Sequence, residues 1–354
     1  MSLEITIEKA KVSRISEFDP QNIGFGKLFT DHMFLCDYRD GEWQNARIVP
    51  YGNLSMSPAT SSIHYGQSIF EGMKAYASLE NDHDITTFRP MENAKRLNRS
   101  AHRMAMPSFP EEDFMNALET LLNLDRQWVP RIEGGALYIR PYMFATDDYI
   151  GVKPSDTYTF AIFCCPVGPY YNKALRVKVE KEYSRAAPGG VGFTKCSGNY
   201  ASALHPTREA QKEGYDQILW TDPIEHKWVE ETGTTNFFAV INNSIVTPSL
   251  TGTMLAGITR DSVITGLKHL GYTVDERPLS VDELIEEQQK GNLKELFITG
   301  TAATLMNLEG FGRDGEYYDV LTNGDTHISS EIKDFLDNMK LKKSEDPFGW
   351  VHTI

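Results

Sequence analysis

Pro166-Val-Gly-Pro-Tyr-Tyr-Asn-Lys173 separates two kinds of sequence. Proline, glycine and paired tyrosines without a hydrophobic period carry the chemistry of turns and linkers, not of a helix or strand. Just before it, Gly135–Ala145 and Thr157–Val167 are rich in β-branched and aromatic residues and read as strands. Just after it a second series of strands begins at Ala174–Lys181. The chain is therefore expected to divide into residues 1–165, a linker at 166–178 and residues 179–354. Its 354 residues suffice for two domains at roughly 150 residues each.

Working outward, Leu28–Tyr38 and Ala46–Pro50 read as strands joined through turn chemistry at Arg39-Asp40-Gly41. Met91–Met106 has helical spacing with an early Glu92 and late basic residues, and Glu111–Trp128 carries an apolar stripe behind an acidic first turn. In the second half, Gln217–Thr221, Phe237–Asn242, Ser244–Thr247 and Leu296–Thr299 read as strands, with Asn242-Asn243 as a tight turn. Ile258–Leu270, Val281–Gln289 and Ser329–Leu341 read as helices. Strands and helices mixed without a regular βαβ rhythm predict an α+β chain, with a more barrel-like sheet in the second half.

Composition narrows the function. Asp and Glu number 49 against 35 Lys and Arg, a net charge of -14, which repels phosphate backbones and anionic lipid and argues against nucleic acid and membranes as partners. Cys36, Cys164, Cys165 and Cys196 have neither disulfide-framework nor zinc-ligand spacing. No apolar run approaches the roughly 18 residues of a membrane span, and Met1–Asp19 lacks the apolar core of a secretory signal. A soluble cytoplasmic protein in a reducing compartment is expected.

The densest chemical signal is Ala186-Ala-Pro-Gly-Gly-Val-Gly-Phe-Thr-Lys-Cys-Ser-Gly-Asn-Tyr200. A surface loop would explain the glycines. A Walker phosphate loop fails on spacing, because Thr194 precedes the lysine and Cys196 follows it. A Schiff-base lysine remains, Lys195 offering an amine to a carbonyl cofactor such as pyridoxal phosphate. That chemistry needs an acid at the ring nitrogen, a donor to the phenolic oxygen and a phosphate cradle. Glu230 and Glu231 adjoin in a strand-like run, where alternation lets one point inward while the other is solvated, and where both also read as surface acids. Gly257, Ile258 and Thr259 open a helix whose free amides suit phosphate. Gly300-Thr301-Ala302-Ala303 is a small-residue turn after a buried strand, either an anion contact or a plain strand exit.

Together and in this order these pieces resemble the branched-chain amino acid aminotransferases, pyridoxal-phosphate enzymes of fold type IV, in their longer, mammalian-like branch. The likeness rests on Phe25-Gly-Lys-Leu-Phe-Thr-Asp-His32, His64-Tyr-Gly-Gln-Ser-Ile-Phe-Glu-Gly-Met-Lys-Ala-Tyr76, Phe88-Arg-Pro with Arg96-Leu-Asn-Arg-Ser-Ala, Leu137-Tyr-Ile-Arg-Pro141, Gly189 to Tyr200, Glu231 to Asn236 and Gly300-Thr-Ala302. It implies a D-amino acid aminotransferase-like fold, with a smaller α/β N-terminal domain and a larger pseudo-barrel C-terminal domain carrying the cofactor lysine. By it, Lys195 would link the cofactor and shuttle the α-proton, Glu231 would face the ring nitrogen and Tyr200 the phenolic oxygen. Arg96, the Ile258 and Thr259 backbone and Thr301 would hold the phosphate, with Thr234 also at the cofactor. The cofactor is then expected between the domains.

Phe29, Tyr65, Phe70, Tyr138 and Tyr170 match the family's side-chain pocket, and Phe29 also reads as core packing. The Thr234 and Ala302 turns would meet the α-carboxylate. Of Tyr65, Arg140 and Lys74, Arg140 is preferred for the glutamate side-chain carboxylate, since it shares a strand face with Tyr138. The implied reaction transfers an amino group between leucine, isoleucine or valine and 2-oxoglutarate, in a homodimer. The alternative is a lyase of the same fold, like those acting on aminodeoxychorismate. Where the mammalian-like relatives carry a Cys-x-x-Cys redox pair, this chain has Ala303 and Met306, so thiol switching of that kind is not expected.

Overall fold

The computed structural model describes residues 3–20, 22–78, 84–168, 173–301, 304–320 and 327–354. Contacts sort the chain into one unit of Met1–Tyr170, Thr194–Ser197 and Met339–Ile354 and another of Tyr171–Phe193 and Gly198–Asn338. The four-residue segment carrying Lys195 thus belongs with the N-terminal half.

In the first unit the strands are β1 (Thr6–Ile7), β2 (His32–Arg39), β3 (Glu42–Pro50), β4 (Ser68–Phe70), β5 (Met73–Ala77), β6 (Ile85–Phe88), β7 (Ala136–Ala145) and β8 (Tyr158–Val167). A last strand near the C-terminus, Val351–Thr353, completes the sheet on β6, in the order β1-β3-β2-β8-β7-β5-β6 and then that strand, with β4 pairing β7. The central strands β7 and β8 are buried on both faces, so they read as near-continuous apolar runs and not as alternation. Asp40 and Gly41 both take positive φ in the β2–β3 turn, as the Arg-Asp-Gly sequence predicts.

Besides α1 (Ser61–Tyr65), this unit holds α2 (Pro90–Arg103) and α3 (Glu111–Leu124), which pack on each other. Proline at the first position and basic residues in the last turn suit α2, and Glu111, Glu112 and Asp113 suit the start of α3. Helix α3 stops short of the predicted Trp128, which lies in a separate 3-10 turn. The reason lies in Asp125, whose carboxylate is taken by the His32 backbone N–H at 3.0 Å and the His32 ring at 2.6 Å. His32 Nε2 accepts from the Ala10 N–H at 2.9 Å, so Nδ1 carries the proton given to Asp125. Asp31 accepts from Ser13, Arg14 and the Trp128 indole. The Thr30-Asp-His32 part of the motif is thus a structural clasp.

The second unit contains β9 (Leu175–Val179), β10 (Gln217–Thr221), β11 (Val229–Thr232), β12 (Asn236–Ile241), β13 (Ser244–Thr247), β14 (Thr273–Glu276), β15 (Leu293–Gly300), β16 (Thr304–Arg313) and β17 (Glu316–Asp319). Its order is β11-β10-β9-β16-β15-β12-β13-β14, and β11 also pairs β12, which closes six strands on themselves. This is the barrel-like sheet the sequence predicts. Val177, Leu219, Phe237, Ala239 and Ile298 fill the core. The helices are α4 (Gly198–Ala201), α5 (Leu204–Lys212), α6 (Ile258–His269), α7 (Val281–Gln289) and α8 (His327–Lys340). In α7, Ser280 accepts from the Glu283 N–H at 3.0 Å, the N-terminal cap that its Ser-x-x-Glu sequence specifies.

Candidate active site

Lys195 is built into the first unit by its backbone. The Phe70 N–H donates to the Lys195 carbonyl at 3.0 Å, the Ser197 N–H to the Ser68 carbonyl at 3.0 Å, and the Lys195 N–H to Ser100 Oγ at 3.1 Å. Cys196 forms a β-bridge with Ile69. The half-buried Lys195 places its Nζ 5.1 Å from the centre of the Phe70 ring.

Directly after Phe70, Glu71 is 0% exposed. Arg96, on α2, grips it twice, Nε to Oε1 and Nη2 to Oε2, both at 2.8 Å, and Asn93 donates to Oε2 at 2.8 Å. Burial pushes the Glu71 carboxyl up, but the Arg96 guanidinium, then the Lys195 charge and Asn93, bring it below the usual carboxylate range. Gly72 is required next to it: a Cβ there would lie 2.3 Å from the Tyr138 hydroxyl oxygen.

Arg140 lies across the same patch, 4.6 Å from the Phe70 ring centre and 5.4 Å from that of Tyr138, donating from Nη2 to the Tyr138 hydroxyl at 3.1 Å. Register carries the face further, because Phe163 on β8 stands opposite Arg140 on β7. Phe29 stacks on Tyr51 at 4.7 Å and meets Phe163 edge-on at 5.5 Å, while Tyr142 packs on Phe163 at 5.7 Å. Burial pushes the Tyr142 hydroxyl up to about 12, so it stays neutral. One face of this sheet therefore presents an aromatic wall with a guanidinium set in it.

The second unit gathers another group at the seam of its barrel, where Glu231 pairs with Asn236 across β11 and β12. Arg185 forms an ion pair with Glu231 at 2.8 Å, and Asn236 and the Leu255 N–H donate to its two oxygens at 3.2 and 3.3 Å. Asn236 also donates to the Leu255 carbonyl at 3.0 Å. Close approach at Gly257 is obligatory, since a Cβ would fall 2.1 Å from Asn236 Oδ1. That glycine is the N-cap of α6 and offers no side-chain cap, so the first amides of the helix, at Ile258 and Thr259, have no intrahelical acceptor. Thr234 lies exposed in the bend between β11 and β12 and Thr301 in the turn after β15; a Cβ on Gly300 would press on Thr235 at 2.6 Å. The acid, the helix start and both threonine turns thus converge.

Residues 68–309 match the amino-transferase class IV family, more than half of the chain. This chain is a class IV aminotransferase. It is 44% identical over 338 residues to branched-chain-amino-acid transaminase 1 of Bacillus subtilis (strain 168), covering 94% of each chain. Its fold matches the branched-chain amino acid aminotransferase from Escherichia coli with a TM-score of 0.73 at 26% identity, over 91% of this chain and 98% of that one. A branched-chain aminotransferase from the thermophilic archaeon Thermoproteus uzoniensis, solved with norvaline, shares the fold at a TM-score of 0.75 and 25% identity, over 91% of this chain and 99% of that one. Within its class the aminotransferase belongs with the branched-chain-amino-acid aminotransferases, of the two-domain α+β fold type IV.

In the aminotransferase, Phe70, Arg96, Tyr138, Arg140 and Lys195 come together in the first unit. Phe29 joins the neighbouring aromatic wall, where it is both packed and part of the face. Tyr65 does not join them: it is 41% exposed at the end of α1, its ring beside His64. Lys74, half-buried on β5, stands opposite Tyr138. Glu231, Thr234, Ile258, Thr259 and Thr301 come together in the second unit, which also holds Tyr200 on α4. Tyr170, Ala302 and Ala303 lie outside the described residues.

The expectation that one of the adjacent glutamates is solvated is corrected, for Glu230 and Glu231 are 5% and 3% exposed. Glu231 is covered by Arg185 and Asn236, while Glu230 accepts from Thr253 at 2.5 Å. Sequence reasoning gave no role to Glu71, Ser100, Arg185 or Asn236. A lone carboxylate between Phe70 and Gly72 was the available signal, since a buried charge demands a buried partner.

Proposed function

We propose that this aminotransferase moves an amino group reversibly between leucine, isoleucine or valine and 2-oxoglutarate, with pyridoxal 5'-phosphate as its cofactor. The observation that carries the reading is Lys195, a lysine tied by its backbone into a sheet edge beside Glu71, Arg96 and an aromatic wall. The side chains fit the group chemically: an amine, a buried acid at Glu231 held by Arg185, a buried guanidinium, and a glycine-capped helix start that needs an acceptor. Bound there, the cofactor supplies an electron sink that makes the α-hydrogen of an amino acid acidic.

The chain's own groups do the rest. Lys195 would hold the cofactor through its amine and carry the α-proton. Glu231, fixed by Arg185 and Asn236, would keep a proton on the ring nitrogen, and Tyr200 would donate to the phenolic oxygen. Arg96, the Ile258 and Thr259 amides and the Thr301 hydroxyl would bind the phosphate. Thr234, with Ala302, would meet the substrate α-carboxylate. Phe29, Phe70, Tyr138 and Tyr170 would exclude water from the side-chain pocket, and Arg140 would meet the second carboxylate of glutamate, which is costly to bury unpaired. Such a wall distinguishes aliphatic side chains differing by a methylene by only about 1–3 kcal/mol.

The reading includes a cytoplasmic homodimer. Ile63, Tyr149, Ile150 and Val152 are exposed on two segments joined at Thr60 and Asp148, a patch suited to a second copy. Among the described residues no helix is long and apolar enough to cross a membrane.

The test is the visible spectrum of the protein loaded with pyridoxal phosphate, before and after leucine. A shift from the aldehyde to the amine form, reversed by 2-oxoglutarate, is expected. Failure to take up the cofactor, or amino-acid breakdown that needs no keto acid, would overturn the assignment; the second result would favour the lyase.

A further inference from the structure

We propose that Glu71 is a positioning residue for phosphate recognition: it locks the guanidinium plane of Arg96 so that the opposite edge of that plane is presented to the cofactor phosphate. The inference rests on the assignment of Arg96 to that phosphate.

Arg96 spends one edge of its donor fork, Nε and Nη2, on the two oxygens of a single carboxylate. Two parallel bonds fix the plane as well as the position, which one bond cannot do. The clamp is itself held. The Glu71 backbone N–H donates to the Pro141 carbonyl at 2.7 Å, and Asn93, one turn before Arg96 on α2, donates to Oε2. Ser100, one turn after Arg96, accepts from the Lys195 N–H at 3.1 Å. Asn93, Arg96 and Ser100 share a helix face, so one face of α2 sets both the guanidinium and the lysine backbone. Glu71 and Arg96 are 0% and 4% exposed, so neither charge is relaxed by water.

A buried ion pair kept only for folding would affect every ligand alike. The proposal makes a narrower demand, which full-length protein can answer through the dissociation constants of pyridoxal phosphate and of pyridoxal, the same ring without phosphate. In E71Q the amide nitrogen opposes a guanidinium N–H, donor against donor, and the plane must turn. Pyridoxal phosphate should then bind about tenfold or more weaker, the loss of about one charge-assisted hydrogen bond, while pyridoxal changes less than about twofold. E71D, which keeps the charge on a shorter arm, should fall between wild type and E71Q. In E71Q/R96M the loss should not exceed that of R96M alone, because both act through one contact.

Equal weakening of both ligands in E71Q, or undiminished binding of the phosphate form, overturns the proposal. If E71Q does not fold, E71D decides: an unchanged ratio of the two constants overturns it. Should R96M itself leave the phosphate preference intact, the assignment of Arg96 fails and the proposal with it, an outcome distinct from failure of Glu71 alone.

Discussion

Replacing Glu230 by glutamine should stabilise the protein at alkaline pH and have little effect in mild acid. Glu230 is 5% exposed, accepts from Thr253 through Oε1, and its Oε2 meets no hydrogen-bonding partner among the described residues. Burial, with the neighbouring Glu231 charge, raises its carboxyl from the ordinary 4.5 to about 7, against the opposing pull of Thr253 and Arg185. The folded carboxyl thus keeps its proton to a higher pH than the unfolded chain does. Its contribution to stability is complete below pH 4.5 and is lost as pH rises through about 7. At about 1.4 kcal/mol per pH unit the whole displacement corresponds to at most about 3 kcal/mol. Partial solvent screening lowers the expected effect to about 2 kcal/mol. Glutamine keeps an acceptor for Thr253 and cannot ionise. Urea unfolding of wild type and E230Q, at equal cofactor saturation, should show a stability difference that grows by about 2 kcal/mol between about pH 5 and about pH 8. A difference that does not change with pH would refute the buried, protonated Glu230.

Two further outcomes follow from the site. In G257A the backbone is undisturbed, since φ -68 and ψ 128 suit alanine, but the new Cβ lands 2.1 Å from Asn236 Oδ1; a loss of about 1–3 kcal/mol is expected in thermal unfolding, and an unchanged midpoint would show that the turn yields freely. R140M should raise KM for 2-oxoglutarate about tenfold or more, as loss of a charged hydrogen bond does, while KM for leucine moves little. Equal changes in both would remove Arg140 from the second carboxylate.

Much of the frame was legible because local rules agreed with the fold. Gln217–Thr221 and Val281–Gln289 have the bounds their sequences predict; in the latter, the Ser280 cap and apolar spacing coincide. β16 was not read, because Asn307, Glu309, Gly310, Gly312 and Arg313 mask a strand whose place is set by partners on both sides. α5 escaped because only Pro206 and Ala210 are buried along it. Closure of the barrel rests on one register pair, Glu231 with Asn236, which no periodicity encodes.

In the site, motif order singled out Lys195, Arg96 and Glu231. Their nearest ionic partners were invisible for a simple reason. The pairing of Glu71 with Arg96, or of Arg185 with Glu231, joins residues from different elements, and only the folded backbone measures that distance.

The bridge between Cys196 and Ile69 has a mechanical meaning. Because strand neighbours face opposite ways, sliding this short splice by a single residue would offer Thr194 or Cys196 where the amine now stands. A residue inserted between Lys195 and Ser197 would break the register of the two backbone hydrogen bonds that flank the bridge, so alignment of this seam decides which side chain is delivered.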